Sequence, residues 1–308
     1  MTVEQSQSIS VIEPITPAIE RVKVVLFRPF DLARWFTIGF CAWLAYLCQG
    51  GGGGGGGNFS NPGHGGGTDI QNVFHHYLPL IIVIGVAVAM FALTIMVVCL
   101  WLSSRGKFMF LHCVAKNKAE VKIPWHQYKQ QGNSLFVFRL IAGLIAIAAI
   151  AMVAGMVTGL GFLMYHKGPE VWVMVLILVL ISLFTFVPLL IICGIFFKFT
   201  SDFVVPIMFL RSKTALDAWR EFLPMLLTNK GAFILYILFQ IVIAMAIGAL
   251  VFFAMTIACC ACCCTACLWF IPYISTVILL PVLVFKLAYS LNYLRQFGPA
   301  YDVFAASL

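Results

Sequence analysis

Nine residues, CCACCCTAC, place Cys259, Cys260, Cys262, Cys263, Cys264 and Cys267 in one short run. Thiolates are soft ligands, and the Cys264–Cys267 spacing resembles a ligand pair for zinc or copper. An even number of cysteines on an oxidising face would also allow disulfides. Cysteine can equally pack as a small hydrophobe on a helix surface, which needs no chemistry. All three readings stay open. His64, His75 and His76 are the histidines whose neighbourhood permits a pH-sensing or metal role; polar interface residues are the simpler account. No second ligand cluster of similar density supports a metal, and no cofactor is implied.

Three polar side chains stand inside apolar surroundings: Gln240, Lys286 and Asn292. Ionisable groups within spans are functional suspects, since lipid disfavours them. Lys286 precedes Arg295 by nine residues, about 13 Å along a helix. It can snorkel toward the head groups on its long stem or line a pore. None of the eleven Asp and Glu residues falls in the middle of an expected span. A proton-driven pump would lack its usual carboxylate. No His–Glu–x–x–His, Gly–x–Ser–x–Gly or carboxylate pair appears, so the chain reads as a non-enzyme. The eight glycines Gly50–Gly57 do not form a phosphate loop. Such loops need a strand before them and a Lys–Ser or Lys–Thr at a following helix. A flexible tether, or glycine strands packed against another copy, are the readings left.

The elements that would position these residues follow from composition. Of 308 residues, 62% are hydrophobic and 10% charged, whereas soluble domains carry about 25% charged residues. Apolar runs exceed the roughly 20 residues that cross a bilayer core as a helix. They lack the alternation of a β-barrel. The fold class is therefore an all-α, polytopic membrane protein. Six spans are expected, near 31–49, 74–104, 134–166, 170–198, 230–258 and 269–295. Asp31 can cap the first, and Gly50 can end it. Pro188 and Pro281 should kink their helices.

Of the nineteen Lys and Arg residues, all but Lys167 fall at the N-terminal end, the even-numbered connections or the C-terminal end. Basic loops stay in the cytoplasm. Both termini are then inside, in what reads as a prokaryotic cytoplasmic membrane, and the glycine tract (50–69) and cysteine run face outward. The sequon Asn58–Phe59–Ser60 would matter only in a glycosylating pathway. No cleaved signal peptide is visible, and residues 1–15 read as a mobile tail. The net charge of +8 fits attraction to anionic lipid at the inner face, at about 1 kcal/mol per basic residue, better than a nucleic-acid partner.

Residues 16–308 read as one membrane domain with a threefold repeat, in units near 16–104, 105–198 and 199–308. Each unit has an apolar stretch, basic residues and a Trp before a span: Trp35, Trp125 and Trp219. These are expected interfacial anchors, their N–H groups facing a wet partner. In the third unit Trp219, Phe222, Leu223 and Leu226 share one helical face; Lys213, Asp217, Arg220 and Glu221 share the other. That is an elbow able to lie in the interface plane. Small residues recur every four positions at Ala151, Gly155 and Gly159, and at Ala244 and Gly248, where helix backbones can approach closely, within the chain or between copies.

The stretch ERVKVVLFRPFDLARWFTIGFCAWLA, followed by a glycine run and Asn–Phe, resembles the opening of an uncharacterised multi-helix membrane family of bacteria and archaea. FVVPIMFLRSKTALDAWREFLPML is similar to its later signature. A distant likeness exists to the membrane domain found beside some glycerophosphodiester phosphodiesterases. The resemblance covers most of residues 17–295 and implies six membrane helices with no established activity. The cysteine run is not part of that pattern.

The functional expectation is a non-enzymatic scaffold or partner-binding module, self-associating or joined to another membrane protein. The alternatives are a channel or facilitator for a small or lipidic solute, and a redox or metal role for the cysteines. A polar cavity lined by Gln240, Lys286 or Asn292 would favour transport; a dry centre would favour the module. The orientation is tested by an impermeant thiol reagent on intact cells: a cysteine placed at Asn58 adds labelling over the wild type, and one placed at Lys118 adds none.

Overall fold

The computed structural model describes residues 9–47, 69–167, 171–261 and 271–305, and those residues contain helices and no strand. In chain order they form α1 (Ile15–Val22), a π turn (Lys23–Phe27), α2 (Leu32–Tyr46), α3 (Asp69–Lys116), α4 (Lys122–Gln127), α5 (Lys129–Lys167) and α6 (Val171–Phe199). A second π turn (Thr200–Val204), α7 (Val205–Arg211), α8 (Ala215–Thr228), α9 (Lys230–Ala261), α10 (Pro272–Ile278) and α11 (Leu280–Arg295) follow. Among the described residues four helical stretches are long and apolar enough to cross a membrane: Ile82–Lys116, Lys129–Leu163, Val175–Arg211 and Lys230–Ile257. The expected first span is the 15-residue α2, capped as anticipated by Asp31, whose carboxylate accepts from Ala33 N at 2.9 Å. The expected sixth span is broken at Leu279 into α10 and α11. Pro281 sits in the first turn of α11 rather than inside a kinked helix. A missing N–H costs nothing there, because the first turn has no carbonyl to receive it.

The buried cores of the described residues lie at one end. Phe203, Phe222, Phe233 and Tyr236 are buried with Tyr289 and Tyr293 in an aromatic core; Phe203 stacks on Phe222 at 5.3 Å between ring centres. A second core joins α2 to α3 and α11 through Ile38, Ala42, Leu44, Phe110, Val114 and Val284. Both lie where the basic residues and short elbow helices gather. Arg21 and Arg34 close the end of α3. Arg21 Nε donates to Val114 O at 2.9 Å and its Nη2 to Ala115 O, while Arg34 Nη2 donates to Asn117 O at 2.6 Å. The last carbonyls of a helix have no partner within it, and a cation suits their partial negative charge. Away from this end the long helices run bare, and residues 82–96 of α3 are all exposed.

Three expectations change. Residues 9–14 are not a free tail. Ser10 N donates to Gln296 Oε1 at 2.7 Å, Gln296 Nε2 returns a bond to Ser10 O at 2.8 Å, and Tyr289 Oη donates to Val11 O at 2.8 Å. On α8 the covered face is Ala215, Ala218 and Phe222, whereas Leu223 is exposed with Leu216 and Leu227. The elbow thus has two apolar sides, one against the core and one outward. The small-residue faces are uncovered within the chain: Ala151, Gly155, Gly159, Ala244 and Gly248 are exposed. A Cβ built on Gly155, Gly159 or Gly248 meets nothing within 4 Å. Close approach occurs instead at Gly161, where a Cβ would meet Leu178 Cδ1 at 3.1 Å, and at Gly106, where it would meet Ala45 N and Leu44 C at 2.6 Å. Spacing shows where backbones are able to approach; only the neighbouring helix decides where they do.

Gly106 therefore sets the crossing of α2 on α3. Gly106→Val forces backbone apart and lowers stability by about 1–3 kcal/mol. Gly85→Ala, in open space within α3, does not lower it and by helix propensity raises it by up to about 1 kcal/mol, as thermal unfolding in detergent will show.

Candidate functional site

A cavity of about 520 Å³ opens between α6, α9 and α11 and is lined by Lys198, Ser201, Asp202, Gln240, Lys286 and Ser290, with Tyr46 of α2 at its side. Its floor is the π turn that joins α6 to α7. Pro206 in the first turn of α7 has no N–H to return to the carbonyl four residues before it, which is that of Asp202. A π turn loosens the ladder at that place, and such turns recur at functional sites. The helix does not end at Lys198 but continues to Arg211. Asp202 thereby becomes a carboxylate inside a candidate membrane helix.

Asp202 is held from two sides. Lys198 Nζ lies 2.9 Å from its Oδ2, one helical turn away, and Tyr236 Oη donates to the same oxygen at 3.0 Å. Gln240 Nε2 donates to Tyr236 Oη at 3.0 Å. The relay Gln240–Tyr236–Asp202–Lys198 ties α9 to the α6–α7 junction. Tyr236 is fixed by its own rings, 4.6 Å from Tyr293 and 5.0 Å from Phe203. Behind the floor, buried Lys107 of α3 donates to Ser201 Oγ at 2.5 Å. Beside it Arg139 of α5 is buried, its Nη1 donating to Ser103 Oγ at 3.5 Å. Lys286 of α11 lines the cavity and, among the described residues, has neither a hydrogen-bond nor an ion-pair partner. Among the described residues the lining thus holds two lysines and one carboxylate, and that carboxylate is already engaged.

Two of the three predicted intramembrane residues converge here, Gln240 and Lys286. Asn292 does not. Its Nδ2 donates to Ala288 O at 2.8 Å, and it lines a separate cavity of about 380 Å³ with Glu13 and Asp302. Trp35 Nε1 donates to Val277 O at 3.0 Å, and Trp125 packs against Trp101 with the Arg105 guanidinium 4.8 Å from its ring. Trp219 turns inward to stack on Phe196 at 4.8 Å, and its buried Nε1 has no partner among the described residues, against the expectation of a wet anchor. Cys259 and Cys260 are exposed on α9; Cys262, Cys263, Cys264, Cys267, His64 and the Gly50–Gly57 tract lie outside the described residues, as do the side chains of His75 and His76.

Sequence reasoning missed Asp202, Lys198, Lys107 and Tyr236. Hydropathy stops at Lys198, so Asp202 fell into a connection. The signal was present in the Lys198–Asp202 pair, opposite charges four apart, which belong to a continuing helix. It also missed Cys41 and Cys113, buried thiols with sulfurs 3.9 Å apart.

Among the described residues, four long apolar helices and no strand are compatible with an integral, helical membrane protein. The chain belongs to the family of unknown function DUF7544, which matches residues 9–271. Comparison with curated proteins and with solved structures gave no match. Membership agrees with the resemblance to an uncharacterised family and carries no link to the domain beside glycerophosphodiester phosphodiesterases.

Removing the Tyr236 hydroxyl leaves Asp202 one donor short and frees Gln240. Tyr236→Phe is expected to cost about 1–3 kcal/mol, measured by thermal unfolding. Phe239→Leu, on a half-buried ring outside the relay, costs less.

Proposed function

We propose that this protein is a channel or facilitator that admits a small or lipidic solute into the Gln240–Lys286 cavity. The observation that carries the reading is Lys286, whose ammonium lines a cavity between helices without a hydrogen-bond or ion-pair partner among the described residues. Charged side chains at such depth face a partner or a water-filled space, and a cavity with convergent polar groups is the default ligand site. The wider reading keeps six spans in three elbow-and-pair units, α2 and the α10–α11 pair supplying the first and sixth. Both termini and the elbow end lie in the cytoplasm of a prokaryotic inner membrane, where anionic lipids meet the basic elbows. It requires no catalysis and no cofactor.

The second reading, a non-enzymatic scaffold joined to copies of itself or to another membrane protein, is favoured by the bare faces at Gly155, Gly159 and Gly248. Small residues left open in lipid are places where another helix packs closely. A redox or metal role rests on the Cys259–Cys267 run alone.

Stopped-flow swelling of proteoliposomes in small polar solutes separates the two main readings. The wild type is expected to admit at least one solute faster than empty vesicles. Lys286→Trp, which fills the cavity, is expected to return the rate to that of empty vesicles without a loss of thermal stability. No flux for any solute, together with another membrane protein retained through mild-detergent purification, would leave the scaffold.

A further inference from the structure

We infer that the cavity between α6, α9 and α11 is a binding site for a phosphate monoester group, free or carried on a lipid. The inference rests on the proposed role of that cavity as the solute chamber and names the chemistry of what enters it.

The first argument is charge. Lys107, Lys198 and Lys286 interact electrostatically around Asp202, and Asp202 is the one carboxylate in the lining. Its Oδ2 already takes the Lys198 ammonium and the Tyr236 hydroxyl. Lys286 has no ion-pair contact among the described residues, and the opposing charge it feels, Asp202, is already bound by Lys198 and Tyr236. Uncompensated charge in a low-dielectric setting is costly, and buried charges are normally paired. An anion in the cavity supplies the missing partner.

The second argument is the kind of donors. Lys107 donates to Ser201 Oγ, so the Ser201 hydroxyl hydrogen remains available to the cavity. Gln240 spends one amide hydrogen on Tyr236 and keeps another. With Lys198 and Lys286 these donors approach from three helices. The described lining residues include no arginine, so an anion is met by ammoniums acting as point charges, a way in which lysine holds phosphate. Point-charge ammoniums and scattered hydroxyl and amide donors suit a tetrahedral dianion, whose oxygens accept in several directions.

The third argument is size and wall. The volume, about 520 Å³, lies in the range of small-ligand sites, roughly 300–1,000 Å³. Phe197, Ile237, Ile241 and Leu287 form its apolar side. That side accommodates the start of an acyl-bearing group as readily as the edge of a free ion's water shell.

The test uses the full chain in phosphatidylcholine nanodiscs, with two probes: radiolabelled inorganic phosphate, and phosphatidic acid added to the lipid and counted by native mass spectrometry. The wild type is expected to bind at least one probe. Binding of phosphate alone assigns a soluble source; binding of phosphatidic acid alone assigns a lipid source. Lys286→Met is expected to weaken that binding by about tenfold or more, while Lys286→Arg retains most of it; unfolding temperatures confirm that both are folded. Asp202→Asn, which removes the competing carboxylate, is expected to tighten it. Folded wild type that binds neither probe, or Lys286→Met that binds as the wild type does, overturns the inference. Phosphate binding without solute flux refutes the facilitator and leaves this site standing. Flux of an uncharged solute without phosphate binding refutes this site and leaves the facilitator standing.

Discussion

The structure turns on one carboxylate in the wrong solvent. Asp202 sits in the helical stretch Val175–Arg211, which is long and apolar enough to cross a membrane, and it is tolerable there because Lys198 and Tyr236 both bind its Oδ2. Half-satisfied polar groups in such a setting cost more than an apolar replacement would. The consequences spread outward from it. Tyr236 must be held where its hydroxyl reaches Asp202, and the buried stack of Phe203, Phe233, Tyr289 and Tyr293 does that. Gln240 must face inward to complete the relay. The π turn must open at Thr200–Val204 so that the helix can carry Asp202 past Pro206 and still continue to Arg211.

Much of this was legible in the sequence, and the reasons are physical. Composition named the solvent, because 10% charge cannot dress a water-facing surface. The Asp31 cap was readable because it needs only local chemistry. Gln240 and Lys286 stood out because polar groups are rare in apolar runs, and the structure brings them to one cavity. Their companions were hidden for the same reason: Lys198 and Asp202 looked like the end of a span, since a hydropathy window reads charge as water. Asn292 shares the rarity and not the place, because it follows Lys286 on α11 by six residues, which turns it about 240° round the helix toward other neighbours. Trp219 failed as a wet anchor because Phe196, on another helix, offered a stacking partner that its local sequence does not announce.

The basic residues carry more than orientation. Arg21 and Arg34 cap α3, and Arg105 is held between Trp101 and Trp125 while its Nη2 donates to Asn133 Oδ1 at 3.0 Å. A charge census treats these as interchangeable with the exposed Arg220. The structure divides them into cations that hold the elbow-end core together and cations that face outward.

The two ends of the molecule also differ mechanically. Everything that must keep its register, from the α2–α3 crossing to the cavity floor, is clamped at the elbow end, while the opposite halves of α3 and α9 stand largely exposed, like poles set in one footing. Bilayers vary in thickness, and helices adjust by tilting. Here that adjustment is taken up by the free shafts, and the footing stays indifferent to how thick a membrane it is planted in.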